Sequence, residues 1–434
     1  MKILNPKLPL ETVMVERDDK FLFLIPSKPD WVVTNSNGAY VLSLCDGKNS
    51  QGDILKAVSG KELDSDKAEE FLHQLINDGF FNPSTNLEGH KSNHKPVLRS
   101  VHLNMSPDCN LECRHCYAEE REKVGKTLTF DQYIKLIDQL TEISPNLRIE
   151  FTGGEPLLNK RTPDIAKYCR SKGHHTTLLT NGTPINKKNV EKIIDSFDTV
   201  RISIDGSNKE INDFHRGDGT YQKITEAIAL LDEHKARVIL AMTVTKQNIA
   251  DISEMAKKYG SRLTFQPLFD AGNAKLNREM AITGNEYYEA LSNAENVAAM
   301  ANIGNSLNSL RNRGTTKCAI ADSEISISHD GNVFPCHLVH ADEFNAGNVL
   351  VDSIKDIYEH SPVLTAGRNL TIYARPECSD CAIRLLCGGS CRARALYLEG
   401  DINACDDFCD YEFSAYLDGI FQTSVSTNSN RNLI

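Results

Sequence analysis

The sequence predicts an α/β protein, a partial (β/α)6 TIM barrel set between an N-terminal α+β domain and a C-terminal cysteine-rich domain. Three observations carry this. From about residue 99, six short β-branched runs alternate with helix-length amphipathic stretches. Before residue 95, two strand-like runs precede three helical ones. After about residue 310 the periodicity fades, and eight of the 13 cysteines gather between Cys318 and Cys409. A chain of 434 residues, 40% of them hydrophobic, can fill the cores of two or three domains.

In residues 1–95, Thr12 to Glu16 and Phe21 to Ile25 read as strands joined by a turn at Asp18-Asp19. Helices are expected over Asn37 to Leu44, Gln51 to Val58 and Ser65 to Asp78, the last opening with Ser65 at a cap position and closing at Gly79. The polar, turn-rich stretch Asn86 to Pro96 reads as a linker. The barrel is expected over residues 99–310, with strands at Val101 to Met105, Leu147 to Thr152, Thr176 to Thr180, Val200 to Ile204, Val238 to Val244 and Leu263 to Leu268. In such a barrel, chemistry belongs at the C-terminal ends of the strands. Residues 311–420 form the cysteine-rich region, which is expected to need metal to fold, and residues 421–434 form a polar tail expected to be disordered.

Formal net charge is -11, so a broad basic surface for nucleic acid is not expected. No apolar run approaches the roughly 20 residues that span a bilayer, and the first twenty residues carry charges. The chain therefore reads as soluble and cytoplasmic. In a reducing cytosol, 13 cysteines point to metal ligation in preference to disulfides.

Cys109, Cys113 and Cys116 follow the first barrel run as CxxxCxxC. Three thiolates so spaced in a loop can wrap one cubic cluster and leave its fourth iron open. The structural alternative is a helix burying Cys at i, i+4 and i+7, but Pro107, Asp108 and Asn110 favour a turn. Cys45 and Cys169 each stand alone on apolar helical faces and read as core packing.

A CxxxCxxC loop after the first strand of a (β/α) barrel resembles the radical S-adenosylmethionine (radical SAM) superfamily, over roughly residues 99 to 300. The resemblance implies S-adenosylmethionine contacts from Gly153, Gly154, Glu155 and Pro156 after the second strand, with Glu155 accepting from the methionine ammonium. It implies further contacts from Asn181 after the third strand, from Ser203 and Asp205 after the fourth, and from Gln266 at the end of the sixth. Arg216 is implied as a partner of the cofactor carboxylate.

Cys318-x12-Gly331-x4-Cys336, followed by Cys378-x2-Cys381-x5-Cys387-x3-Cys391 and by Cys405 and Cys409, resembles the SPASM iron-sulfur domain. That implies two auxiliary 4Fe-4S clusters beside the S-adenosylmethionine-binding one, three in all. The resemblance assigns Cys378, Cys381, Cys387 and Cys409 to a distal cluster, and Cys318, Cys336 and Cys391 to a proximal one. Cys405 either completes the proximal cluster or leaves it with an open or exchangeable iron, the latter being preferred. A zinc ribbon on Cys378 to Cys391 is a chemical alternative, which leaves Cys318 and Cys336 unexplained.

The N-terminal pattern resembles the winged-helix-like, PqqD-like peptide-recognition element of ribosomal-peptide maturases, in which a leader peptide adds a strand to a sheet edge. Together the resemblances imply an enzyme that cleaves S-adenosylmethionine reductively and uses the 5'-deoxyadenosyl radical to crosslink a precursor peptide. A thioether is favoured over a carbon-carbon bond, and a flavodoxin- or ferredoxin-type protein is the implied reductant. Alternatives are a sulfatase-maturing oxidase and a non-catalytic iron-sulfur electron carrier.

Overall fold

The computed structural model describes residues 5–82, 96–118, 126–294, 307, 311 and 314–426. The N-terminal sheet has three antiparallel strands, β1 (Val13–Arg17), β2 (Lys20–Ile25) and β3 (Asp30–Thr34), in the order β1-β2-β3. Arg17 pairs with Lys20. Asp18 and Asp19 therefore form a two-residue turn, with φ values of 46° and 60° that match the twist of a hairpin. The third strand was not expected from sequence, because its five residues are all buried and show no alternation of polar and apolar character.

Helices Ser36–Ser43, Gln51–Ser59 and Ser65–Asn77 follow. The cap of the last helix is Asp64, whose side chain accepts from the backbone N–H groups of Asp66 and Lys67, so the expected Ser65 cap moves by one residue. Alternate residues of β2 and β3 face two different cores. Phe23, Ile25 and Val32 pack with Leu42, Ile54 and Leu72 of the helices. Leu22, Leu24, Trp31 and Val33 pack instead with Leu386, Leu417, Ile420 and Phe421 from the far end of the chain.

The six barrel strands are parallel and adjacent in chain order: β4 (Ser100–Asn104), β5 (Arg148–Thr152), β6 (His175–Thr180), β7 (Thr199–Ser203), β8 (Val238–Val244) and β9 (Leu263–Pro267). Apolar residues such as Val101, Leu103, Ile149, Phe151, Leu178, Ile202 and Leu240 join helix residues Leu136, Ile137, Ile165, Ile193 and Ile228 in one core. The sheet does not stop at β4. β10 (Glu324–Ile327) pairs parallel to it, and β11 (Asn332–Phe334) and β12 (Gly347–Asn348) continue antiparallel, giving nine strands among the described residues. The cysteine-rich region is thus welded to the barrel's first strand, where the sequence read as a separate module.

The final helix runs Cys409–Ser426, so residues expected from 421 onward to be disordered are helical as far as Ser426. Phe421 and Ile420 anchor them in the core shared with Trp31. The remainder of that tail, and the linker Asn86 to Pro96 apart from Pro96 itself, lie outside the described residues. Among the described residues, no helix is long and apolar enough to cross a membrane.

Candidate functional site

The loop after β4 carries Cys109, Cys113 and Cys116 in turn and irregular conformation, with no helix around them. Cys113 is buried and feels the charges of both other thiols, so the three converge. Burial pushes the Cys113 thiol up to about 11. Such a thiol ionises when a metal takes its proton's place.

Backbone contacts shape this loop. The N–H of Gly154 donates to the Ser106 carbonyl at 2.8 Å, and that of Glu155 donates to the Asp108 carbonyl at 2.8 Å. A Cβ on Gly154 would lie 2.2 Å from the Asp108 oxygen, and one on Gly153, at φ +123°, 2.5 Å from that of Ser106. The glycine pair therefore admits the cysteine loop itself. On the opposite side the N–H of Asn273 donates to the Cys116 carbonyl, while Asn273 Nδ2 reaches Cys113 O at 3.0 Å and Asn277 Nδ2 reaches Arg114 O at 3.1 Å. Arg114 N donates to the His215 carbonyl at 3.0 Å.

Glu155 sits deep in the barrel end. It is fully buried, and its oxygens accept from Thr180 Oγ1 at 2.8 Å, Asn181 N at 2.9 Å and Leu157 N at 3.1 Å. Burial pushes its carboxyl up to about 7 against these donors. Asp205 is also fully buried, paired with Arg216 and 3.2 Å from His115 Nε2, with Oδ1 accepting from Thr243 N. Burial alone would raise its carboxyl, but Arg216, His115, His215 and the Thr243 N–H together outweigh this and hold it low. Glu155, Asp205 and Arg216, expected to contact the cofactor, thus each also have partners within the protein. Arg216 still carries its charge beside Cys113 and Cys116. Asn181 Nδ2 lies 3.0 Å from Asn110 Oδ1 and 3.8 Å from Cys109 Sγ, so it does stand at the loop. Pro156 is buried at the start of a 3-10 turn, Ser203 is half-buried at the end of β7, and Gln266 is exposed near the end of β9.

The C-terminal cysteines fall into two groups. Cys318, Cys336 and Cys391 pack on the barrel core and feel one another's charge. Cys378, Cys381, Cys387, Cys405 and Cys409 form the second group: Cys405 stands beside Cys378, Cys381 and Cys409, and Cys387 beside Cys381 and Cys409. The expectation that Cys405 might complete the first group is thereby corrected. Arg375 and Arg392, each 1% exposed, carry buried Nε atoms without a partner beside these thiols, a cationic lining that suits anionic clusters. Cys45 and Cys169 are buried in separate apolar cores.

A small, half-open cavity is lined by Asn104, Tyr117, Gly153, His337, His340 and Tyr397 among others. Beside it, within the barrel, the His102 and His337 rings stack at 4.1 Å and 18°. Glu324 Oε1 is 2.9 Å from His337 Nδ1 and 3.6 Å from His102 Nε2, and Glu150 Oε2 is 3.5 Å from His102 Nδ1. Burial drives His102 down to about 3. For Glu324, burial works to raise the carboxyl, but the His337 hydrogen bond and neighbouring charges bring it to about 2. The pair is thus a neutral imidazole beside a carboxylate.

Two family models match this chain, the radical SAM superfamily over residues 103–259 and SPASM, an iron-sulfur cluster-binding domain, over residues 318–382. The chain is a radical SAM enzyme with a SPASM domain. Among curated proteins, the antilisterial bacteriocin subtilosin biosynthesis protein AlbA of Bacillus subtilis is 27% identical over 71% of this chain and 69% of its own. An AdoMet-dependent heme synthase of Oleidesulfovibrio alaskensis is 27% identical over 73% of this chain and 88% of its own. The fold resembles that of anSMEcpe with bound AdoMet, with TM-score 0.63 and 19% identity over 76% of this chain and 99% of the other. It also resembles Streptococcus suis SuiB bound to the precursor peptide SuiA, with TM-score 0.56 and 14% identity over 93% of this chain and 99% of the other.

Within the radical SAM domain, sequence reading missed His115, Asn273 and Asn277 around the loop, and His102, Glu150 and Arg201 inside the barrel. The last three had a signal. Each is a titratable residue at the centre of a five-residue strand whose neighbours are mainly apolar. Such a placement is costly unless the barrel interior is a polar site.

Proposed function

We propose that this radical SAM enzyme installs an intramolecular crosslink, thioether or carbon-carbon, in a ribosomally made precursor peptide. The observation that carries the reading is the N-terminal three-stranded unit built onto barrel and SPASM domain. The fold likeness to SuiB, crystallised with its precursor peptide, extends over 93% of the chain, whereas that to anSMEcpe covers 76%. AlbA, a bacteriocin biosynthesis protein, supports the same substrate class. The outer edge of β1, whose residues alternate between exposed and half-buried, is available for a leader peptide to add as a strand.

Three 4Fe-4S clusters fit the thiol groups: Cys109, Cys113 and Cys116; Cys318, Cys336 and Cys391; and Cys378, Cys381 and Cys387 with Cys405 or Cys409. When bound, the first supplies the chemistry that splits S-adenosylmethionine and yields the hydrogen-abstracting radical. The chain's own residues hold and shield. Gly153 and Gly154 seat the cysteine loop, Asn181 and Ser203 stand at the barrel mouth for the cofactor's polar groups, and Arg216 with Asp205 fixes charge beneath Cys113. The cavity between Gly153 and His337 is where a peptide side chain meets both the cofactor and the SPASM face. Electrons come from a flavodoxin- or ferredoxin-type protein in the cytoplasm.

Reduced anaerobically with S-adenosylmethionine, the reconstituted protein is expected to release 5'-deoxyadenosine, and a Cys113→Ala variant is not. With a peptide encoded beside the gene, mass spectrometry is expected to find a loss of about 2 Da per crosslink as two hydrogens leave. An unchanged peptide mass together with turnover of a porphyrin would favour a second reading, prompted by the likeness to heme synthases.

A further inference from the structure

The proximal thiol group holds three cysteines, and no fourth is within reach. Of the 13 cysteines, three belong to the barrel loop, three to this group, five to the distal group, and Cys45 and Cys169 to apolar cores. A 4Fe-4S cluster takes up to four protein ligands. The carboxylate that stands beside this group is Glu324.

Its position follows from strand register. Ser326 pairs with Phe334 and Ile327 with Val333 across β10 and β11, and continuing that register by two residues sets Glu324 across from Cys336 on one face. Glu324 Oε1 lies 3.7 Å from Cys336 Sγ, and its charge is also felt at Cys318. An anionic carboxylate beside thiols that must themselves ionise is repulsive unless a metal gathers them. His337 Nδ1 is nearly as close, 3.8 Å from Cys336 Sγ, but its ring is stacked on His102 along the cavity wall.

We propose that Glu324 is the fourth protein ligand of the proximal auxiliary cluster, which therefore presents no open iron to the substrate. The inference rests on Cys318, Cys336 and Cys391 being cluster ligands. It implies that electrons reach this cluster through space and that no substrate thiolate binds it, which reverses the preference for an exchangeable site drawn from cysteine counting alone.

The test uses the full chain carrying Cys109→Ala, Cys113→Ala and Cys116→Ala, so that only auxiliary clusters remain, with free cysteine as the added probe. The reduced protein's electron paramagnetic resonance spectrum is expected to be unchanged by the probe. Adding Glu324→Ala, or the gentler Glu324→Gln should the alanine variant fold poorly, is expected to make the spectrum shift on addition of cysteine, and Glu324→Cys is expected to restore resistance. A parent spectrum that already shifts with cysteine overturns the proposal, as does a Glu324→Gln spectrum that matches the parent with and without the probe. If Cys336→Ala keeps all auxiliary iron, the cluster reading itself fails, and this inference fails with it.

Discussion

Gly154 and Glu155 illustrate how much a single residue carries here. With a Cβ at position 154 only 2.2 Å from the Asp108 carbonyl oxygen, Gly154→Ala must push the cysteine loop away from β5. The variant is expected to lose the iron of the barrel cluster while keeping that of the SPASM domain, at a local cost of ~2 kcal/mol or more, checked by iron and sulfide analysis. Glu155 sets a pH dependence. Its carboxyl is raised from 4.5 to about 7 in the folded chain, so the native state binds the proton more readily than the unfolded one. Stability is therefore favoured at low pH and declines as pH rises from about 4.5 to about 7, by up to ~3 kcal/mol. In Glu155→Gln that decline is expected to flatten, as measured by denaturant titrations across this range.

At the scale of elements, the Asp205–Arg216 pair ties the end of β7 to the helix Lys209–Arg216 beneath the cysteine loop. Both groups are buried, so removing one strands the other. Arg216→Met is expected to destabilise the fold by about 3–5 kcal/mol, and adding Asp205→Asn is expected to recover part of it, as read by thermal or denaturant unfolding. In the SPASM domain the distal group offers five thiols to a cluster that needs four. Cys405→Ser alone and Cys409→Ser alone are each expected to keep the distal iron, because the other thiol stands beside the vacancy. The double variant is expected to lose it, and iron per chain distinguishes the three proteins.

For the whole molecule, the N-terminal sheet is not a loose appendage. Leu22, Leu24, Trp31 and Val33 share a core with Leu386, Leu417, Ile420 and Phe421, and the Arg17–Asp418 and Arg311–Asp30 ion pairs close its rim. Trp31 is 3% exposed, and Trp31→Ala is expected to cost about 3–5 kcal/mol. Calorimetry is expected to show a single main transition in the parent protein and an early-melting N-terminal unit in the variant. β2 and β3 are thus packed on both faces, and among the described residues no strand pairs with the outer edge of β1.

Much of this was legible along the chain. The six barrel strands, the cysteine loop and its glycine pair could be read because strand periodicity, turn chemistry and ligand spacing are local properties, each written within a few residues. Three matters were decided only by tertiary structure. Glu155, Asp205 and Arg216 gained partners within the protein that no local spacing shows, because which side chains meet depends on which loops stack against each other. Cys405 joined the distal thiols, and Glu324 came to face Cys336, because β10 extends the barrel sheet and sets a register that no spacing in the sequence encodes. The kinds of ligand were therefore determined by sequence. Their grouping was decided by packing, since thiols and carboxylates far apart along the chain become neighbours only when burying their apolar surroundings brings the strands together.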